Sequence, residues 1–173
     1  MKEQYLQHLI QTREFTEKLL EVFQKEEDWI YQVHPEANHA LWFIGHLAHT
    51  DDFFISLIEP EKKEDTFQAT EMFGMGSQPV ADLSAYPPID EVRSRMKERR
   101  EVLLDVLSSL TEEDLKKETP PGTPEFLKNY ESVFQTAIWH EGMHSGQLTV
   151  TRRALGHPPI RDGRSSVSMP DSK

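Results

Sequence analysis

The sequence predicts an all-α protein, a four-helix bundle with a long crossover between its second and third helices. Four long segments of the 173-residue chain carry apolar residues at steps of three and four, as one face of a helix requires. No segment shows the alternation of a half-buried strand. The connection at residues 59–89 is too long for a simple hairpin. We therefore expect a bundle that is not plainly up-down-up-down.

The first two helices are predicted over residues 2–26 and 38–58. The first has a mainly apolar stripe, formed by Leu6, Leu9, Ile10, Thr16, Leu20 and Phe23. The second is predicted to start after Asn38, whose side chain can cap a first turn, and to stop at Glu59-Pro60. Apolar residues surround this second helix, so we expect it to be buried on nearly every side.

The other two long helices are predicted over residues 90–110 and 129–155. The third repeats apolar residues at helical steps, with one polar gap at Arg99. The fourth ends at Gly156, a natural residue to follow a helix. A short helix is expected around residues 65–72, inside the crossover. Residues 1–160 should form one domain, and residues 161–173 should form a flexible tail.

Composition and charge narrow the classes of partner. The net charge of −11 disfavours binding to nucleic acid or to an anionic membrane, since both would be repelled. The chain has no cysteine, so thiolate ligands and disulfides are excluded. The N-terminal segment has no apolar signal sequence, and no apolar run reaches the length of a membrane span. A cytoplasmic setting is expected.

Two histidines stand out in the fourth predicted helix. His140 and His144 are four residues apart and share one face, which also carries apolar residues. Such a pair can direct both imidazoles at one metal ion. A pair of core histidines that hydrogen-bond to backbone or carboxylate groups has the same spacing. The spacing alone leaves both interpretations open.

The second predicted helix offers a third imidazole. His46 lies in the middle of an aromatic stripe, where a buried histidine needs a polar partner. His49 is turned about 60° away, and His39 is about 10 Å further along the helix. His46 is therefore the best third ligand. Three neutral imidazoles leave one position open for water or substrate, a geometry open to Zn, Ni, Fe or Mn.

Two sequence motifs resemble a known family. The last predicted helix contains HEGMHSGQL at residues 140–148, followed by RALGHPP at 153–159. The second contains WFIGHLAHTDDFF at 42–54. Together, in this order and with a long crossover between them, they are similar to the DinB/YfiT-like metalloprotein superfamily.

The resemblance has consequences for fold, site and partners. It implies a bundle with divalent-metal ligands at His46, His140 and His144, and commonly a homodimer. Members of the family include thiol-dependent transferases that use low-molecular-weight thiols. Two local departures from the pattern are His49, an additional imidazole beside the expected ligand, and Glu141, which completes an H-E-x-x-H sequence.

That five-residue sequence also raises the alternative of a zinc protease. A third zincin ligand is absent, however, because position 150 is valine and no glutamate follows His144. Glu141 is then either an exposed helix residue or a carboxylate that assists catalysis beside the metal. Gln147 either orients water or substrate or packs between helices. Asp51 and Asp52 are expected to be solvated or to act as capping partners, not as metal ligands.

The leading functional interpretation is a metal-dependent enzyme that is either thiol S-transferase-like or hydrolase-like. Bound metal would lower the pKa of a thiol or water molecule, and any thiol must arrive as a cosubstrate. The expected substrate is a small electrophile, because five apolar residues are predicted to line the site: Trp42, Phe43, Phe53, Phe54 and Leu57. A metal-binding or dimerising module without catalysis is the alternative.

Overall fold

The computed structural model describes residues 1–64 and 69–160, and the fold of that part is all-helical. Four long helices dominate: α1 (Lys2–Leu20), α3 (Ala40–Ile58), α5 (Ile89–Ser109) and α6 (Tyr130–Ala154). Two short helices, α2 (Glu26–Trp29) and α4 (Ala69–Phe73), lie in the connections. Within residues 1–64 and 69–160 there is no β-strand. The predicted fold class is confirmed.

The direction of each long helix follows from the two apolar clusters of the core. The first, which we call the upper cluster, contains the C-terminal end of α1, the N-terminal halves of α3 and α5, and Leu148 of α6. The second, or lower cluster, contains Leu9 of α1, the C-terminal halves of α3 and α5, and the N-terminal part of α6. Helices α3 and α5 therefore run parallel and contact each other. The long crossover returns the chain to the upper end.

A layer of buried charge separates the two clusters, and sequence reasoning missed it. Arg13 of α1, Asp51 of α3, Arg100 of α5 and Glu141 of α6 lie at the same height of the bundle, all at most 8% exposed. Arg100 pairs with Asp51 through Nε and Nη2, both at 2.9 Å, and its Nη2 lies 2.6 Å from Glu141 Oε2. The layer links all four long helices.

The polar gap expected at Arg99 is also occupied by buried charge. Arg99 is 3% exposed and donates to Asp52 Oδ1 over 3.2 Å and to Glu64 Oε1 over 2.8 Å. The expectation that Asp51 and Asp52 are solvated or capping residues is wrong. Both carboxylates are buried because guanidinium groups from α1 and α5 neutralise them.

Helix boundaries differ from the predictions at two places. Helix α1 ends at Leu20, yet Phe23 is buried from the loop that follows, where its carbonyl accepts from Trp29 Nε1 over 3.0 Å. Ile10, which belongs to the predicted stripe of the first helix, is 44% exposed. Helix α3 is capped by His39, not Asn38, because His39 Nδ1 accepts from the amide of Trp42 over 3.0 Å.

The remaining expectations concern the ends of the helices and the tail. Gly156 follows α6 with φ of 88°, a left-handed conformation that suits glycine. Helix α4 overlaps the short helix expected at residues 65–72, of which 65–68 lie outside the described residues. The expected tail, 161–173, lies outside them too. In the part of the chain described, every helix is too short or too polar to cross a membrane.

Candidate metal centre

Three histidines from two helices meet near the upper end of the bundle. His46 comes from α3, and His140 and His144 come from successive turns of α6. The Nε2 atom of His140 lies 3.0 Å from Nε2 of His46 and 3.2 Å from Nε2 of His144. One ligand atom from each ring lies within 4.8 Å of the other two. The structure thus brings together the three histidines that the sequence singled out.

The ring of His46 is held by a hydrogen bond at Nδ1 and by an aromatic ring stacked on one face. Its Nδ1–H donates to the carbonyl oxygen of Phe73, at the end of α4, over 2.6 Å. The indole of Trp42 stacks on the imidazole, with ring centroids 4.5 Å apart and an angle of 13° between the planes. Because Nδ1 carries the proton, the lone pair of His46 lies on Nε2, which faces the other two histidines.

His144 is oriented by a neighbour on its own helix. Its Nδ1–H donates to Oε1 of Gln147 over 2.9 Å, and the same oxygen accepts from the side-chain Nδ2 of Asn38 over 3.2 Å. Gln147 therefore joins α6 to the residue that precedes the cap of α3. Gln147 is exposed, and its contact with Nδ1 sets the tautomer of His144. That it also orients water or substrate stays a prediction.

Burial keeps these imidazoles neutral. Burial and, to a smaller extent, the neighbouring histidines lower the pKa of His46 to about 4 and that of His140 to about 3. Burial also lowers the pKa of His144. The Nε2 lone pairs of His46 and His144 both face Nε2 of His140, and a cation between the rings could accept a lone pair from each neutral imidazole. The cluster could hold a divalent metal ion.

The apolar wall is smaller than the sequence suggested. Trp42 and Phe43 lie beside His144, with ring centroids at 6.1 Å and 6.0 Å. Phe54 and Leu57 belong instead to the lower cluster, on the far side of the charged layer. Phe53 is 39% exposed. These three residues lie two to three helical turns beyond His46, about 10 Å or more along the axis, so their assignment to the wall was wrong.

Two more histidines, His49 within α3 and His39 at its N-cap, lie apart from the cluster. His49 is half-buried and does not join the three rings. Burial lowers the pKa of His49, and the nearby Asp52 carboxylate opposes that shift. His39 is fully buried as the cap of α3, and its Nε2–H donates to the carbonyl of Val80 over 3.0 Å.

Glu141 is fully buried, so its interpretation as an exposed helix residue was wrong. Its Oε1 accepts from Arg13 Nε over 2.8 Å, and its Oε2 pairs with Arg100. Burial alone would raise the pKa of this carboxyl, but the guanidiniums of Arg100 and Arg13 outweigh it and lower the pKa. A carboxylate held by two cations is a poor proton acceptor, so this geometry does not favour a catalytic base.

Sequence reasoning missed two groups, one that orients His46 and one that belongs to the charged layer. One is the carbonyl of Phe73, which no side-chain pattern could reveal. The other is Arg13, whose position was visible, because it lies between Leu9 and Thr16 at helical steps on the buried face of α1. A charged residue on such a face predicts a buried partner of opposite charge.

Comparison with known sequences agrees with this geometry. The model of one protein family, described as the DinB superfamily, matches residues 8–148. The match includes all three histidines and most of the four long helices. Among curated proteins, none matches the chain.

Proposed function

This chain belongs to the DinB superfamily, and on that premise we propose that it is a metal-dependent enzyme that transfers a low-molecular-weight thiol to a small electrophile. We propose His46, His140 and His144 as the metal ligands. The observation that carries this proposal is the convergence of three Nε2 atoms, two of them on rings whose Nδ1–H is committed to an oxygen.

The number and kind of ligands favour a reactive centre. Structural zinc sites are usually closed by four protein ligands, whereas three histidines leave a position open. The metal could be Zn or Ni, with Fe or Mn as alternatives. When bound, such an ion supplies Lewis acidity, which lowers the pKa of a thiol or water that reaches it. The half-buried His140 and the exposed Gln147 mark the side from which a small molecule can approach.

The chain's own residues support positioning and recognition. Trp42 and Phe43 present apolar surface beside the cluster, which suits a small, partly apolar substrate. With no cysteine in the chain, the attacking sulfur belongs to a cosubstrate. Its proton leaves to solvent, a bond forms between sulfur and the electrophilic carbon, and the leaving group departs with its electron pair.

A panel of small thiols with a chromogenic electrophile tests the reaction. We expect metal-loaded protein to accelerate release of the chromophore with at least one thiol, and His140→Ala to abolish the acceleration. His49→Ala is the matched control and should retain activity. Equal rates for the wild type and His140→Ala, across all thiols, would favour a non-catalytic metal-binding module. Release without any thiol would indicate hydrolysis, and cleavage of an unfolded protein would indicate a protease.

We also propose a homodimer, as the family resemblance implies. The outward face of α6 supports it, since Trp139, Met143 and Val150 are 64%, 41% and 55% exposed and follow one another along that face. Light scattering at micromolar concentration should give twice the mass of the chain, and Trp139→Glu should reduce it. A monomeric wild type would contradict this.

A further inference from the structure

The ring of Phe73 occupies the space that a side chain at position 45 would need. A Cβ atom at position 45 would overlap Cδ1 and Cε1 of Phe73. The ring of Phe73 also stacks on Tyr86, with centroids 5.6 Å apart and an angle of 25°. Phe73 is 1% exposed. The crossover is therefore held against α3 by an aromatic ring that fits only because residue 45 is glycine.

The same residue carries the acceptor for a histidine of the cluster. Phe73 presents its ring to Gly45 and its carbonyl oxygen to Nδ1 of His46, the next residue along α3. Two more polar contacts join the crossover to this end of α3. Ser77 Oγ accepts from Nε1 of Trp42 over 2.9 Å, and the Val80 carbonyl accepts from His39.

From these contacts we propose that Gly45 and Phe73 are a positioning pair for the metal centre, which seats the crossover so that its backbone sets the tautomer and direction of the His46 ring. This inference rests on metal binding by the three histidines, as proposed above. The pair touches neither metal nor substrate and acts only through His46. Hydrogen bonds of this kind to the far nitrogen of a ligand histidine typically change metal affinity by about 10–100-fold.

The coupling must be reciprocal. If the seated crossover strengthens metal binding, then bound metal stabilises the seated crossover by the same free energy. The backbone of this segment has hydrogen-bonded amides that can report it. Gly74 donates to Thr70 and Ser77 donates to Gly74, both over 3.1 Å, and Val80 donates to the hydroxyl of Tyr86 over 2.9 Å.

The first experiment compares two glycine substitutions by zinc titration. Gly45→Ala should displace Phe73 and weaken Zn²⁺ binding about 10–100-fold. Gly146→Ala is the matched control, because it gives the same gain in helix propensity on α6 but meets nothing within 4 Å. Its affinity should equal that of the wild type. Adding Phe73→Leu to Gly45→Ala makes room for the new methyl group and should recover part of the lost affinity.

The results separate this inference from the proposed function. Failure of the wild type to bind Zn²⁺ would overturn both. Tight binding by the wild type and equally tight binding by Gly45→Ala would overturn the positioning role alone. A contact that is merely structural would lower the melting temperature of the metal-free Gly45→Ala protein and leave its zinc affinity unchanged.

A second measurement needs no variant, so it holds even where Gly45→Ala fails to fold. Hydrogen exchange of the wild type is followed with and without Zn²⁺. The amides of Gly74, Ser77 and Val80 should exchange about tenfold or more slowly with zinc, whereas the connection at residues 114–127 should not change. Unchanged exchange at all three amides, with zinc bound, would contradict the coupling.

Discussion

Arg13 and Glu141 form a buried ion pair between the first and last helices, with Arg13 Nε 2.8 Å from Glu141 Oε1. Arg13 also donates to Asp51 over 3.1 Å and to the carbonyl of Met96 over 2.7 Å, so one guanidinium contacts three other helices. The glutamate that gives this chain its protease-like motif thus takes part in helix packing. Each of its oxygens has a cationic partner.

Replacing Glu141 should lower the stability of the fold more than it lowers activity. Glu141→Gln leaves the positive charges of Arg13 and Arg100 without one of their two carboxylates. We expect the free energy of unfolding to fall by about 3 kcal/mol, measured by urea denaturation. Glu113→Gln is the control, since its pair with Lys116 is exposed to solvent and should contribute little to stability. Lost activity with unchanged stability would instead assign Glu141 a catalytic role.

The three histidines of the cluster should be needed together. His46→Ala, His140→Ala and His144→Ala should each weaken divalent-metal binding strongly and abolish the rise in melting temperature on adding metal, because binding to the folded state stabilises it. Calorimetric titration and thermal melts measure both. His49→Ala should keep the metal, because its ring lies outside the cluster. Metal binding by His46→Ala but not by His49→Ala would invert the assignment.

Gln147 should act through the ring of His144. Gln147→Leu removes the acceptor of the Nδ1–H, so we expect metal affinity to fall about tenfold, by competitive titration with a chelator. Gln147→Glu keeps an oxygen at the same place and should retain most of the affinity. Asn38→Ala removes only the second contact of that oxygen and should have a smaller effect. Equal affinities for Gln147→Leu and Gln147→Glu would refute the orienting role.

His39 should make the stability of the protein depend on pH. Burial lowers the pKa of His39 to about 4, below the value of about 6.5 in the unfolded chain. As the pH falls, the unfolded state therefore binds a proton before the folded state does. The contribution of His39 to stability is fully present above pH 6.5 and is lost as the pH is lowered towards 4. The shift corresponds to about 3 kcal/mol. Urea denaturation of His39→Asn, which keeps a capping side chain, should show a shallower decline over this range. An equally steep decline would contradict the assignment to His39.

Helical periodicity was enough to predict the long helices, the crossover and the inward direction of His46, His140 and His144. Those properties depend on residues close together in the sequence. The end of α1 was not predictable in this way, because Phe23 continues the apolar spacing but is buried from a loop. A pattern of burial does not distinguish a helical backbone from one that merely returns to the core.

The charged layer and the groups that orient the histidines depend on distant partners. Arg13 is 128 residues from Glu141 and 38 from Asp51, and each residue read alone belongs to a type that is normally exposed. Phe73 acts through a backbone oxygen, which is common to all residues. Sequence spacing could therefore predict the direction of the three imidazoles, but the tautomer of His46 required the path of the crossover.

The charged layer also limits how deep any guest molecule can reach. The upper and lower clusters do not form one continuous apolar core, because guanidinium and carboxylate groups from all four long helices lie between them. An alkyl chain pushed through that level would separate desolvated ion pairs, at a cost of several kcal/mol. A fatty acyl chain therefore cannot extend along the whole length of the bundle. Any selection of ligands by chain length would have to occur on the upper side of the charged layer.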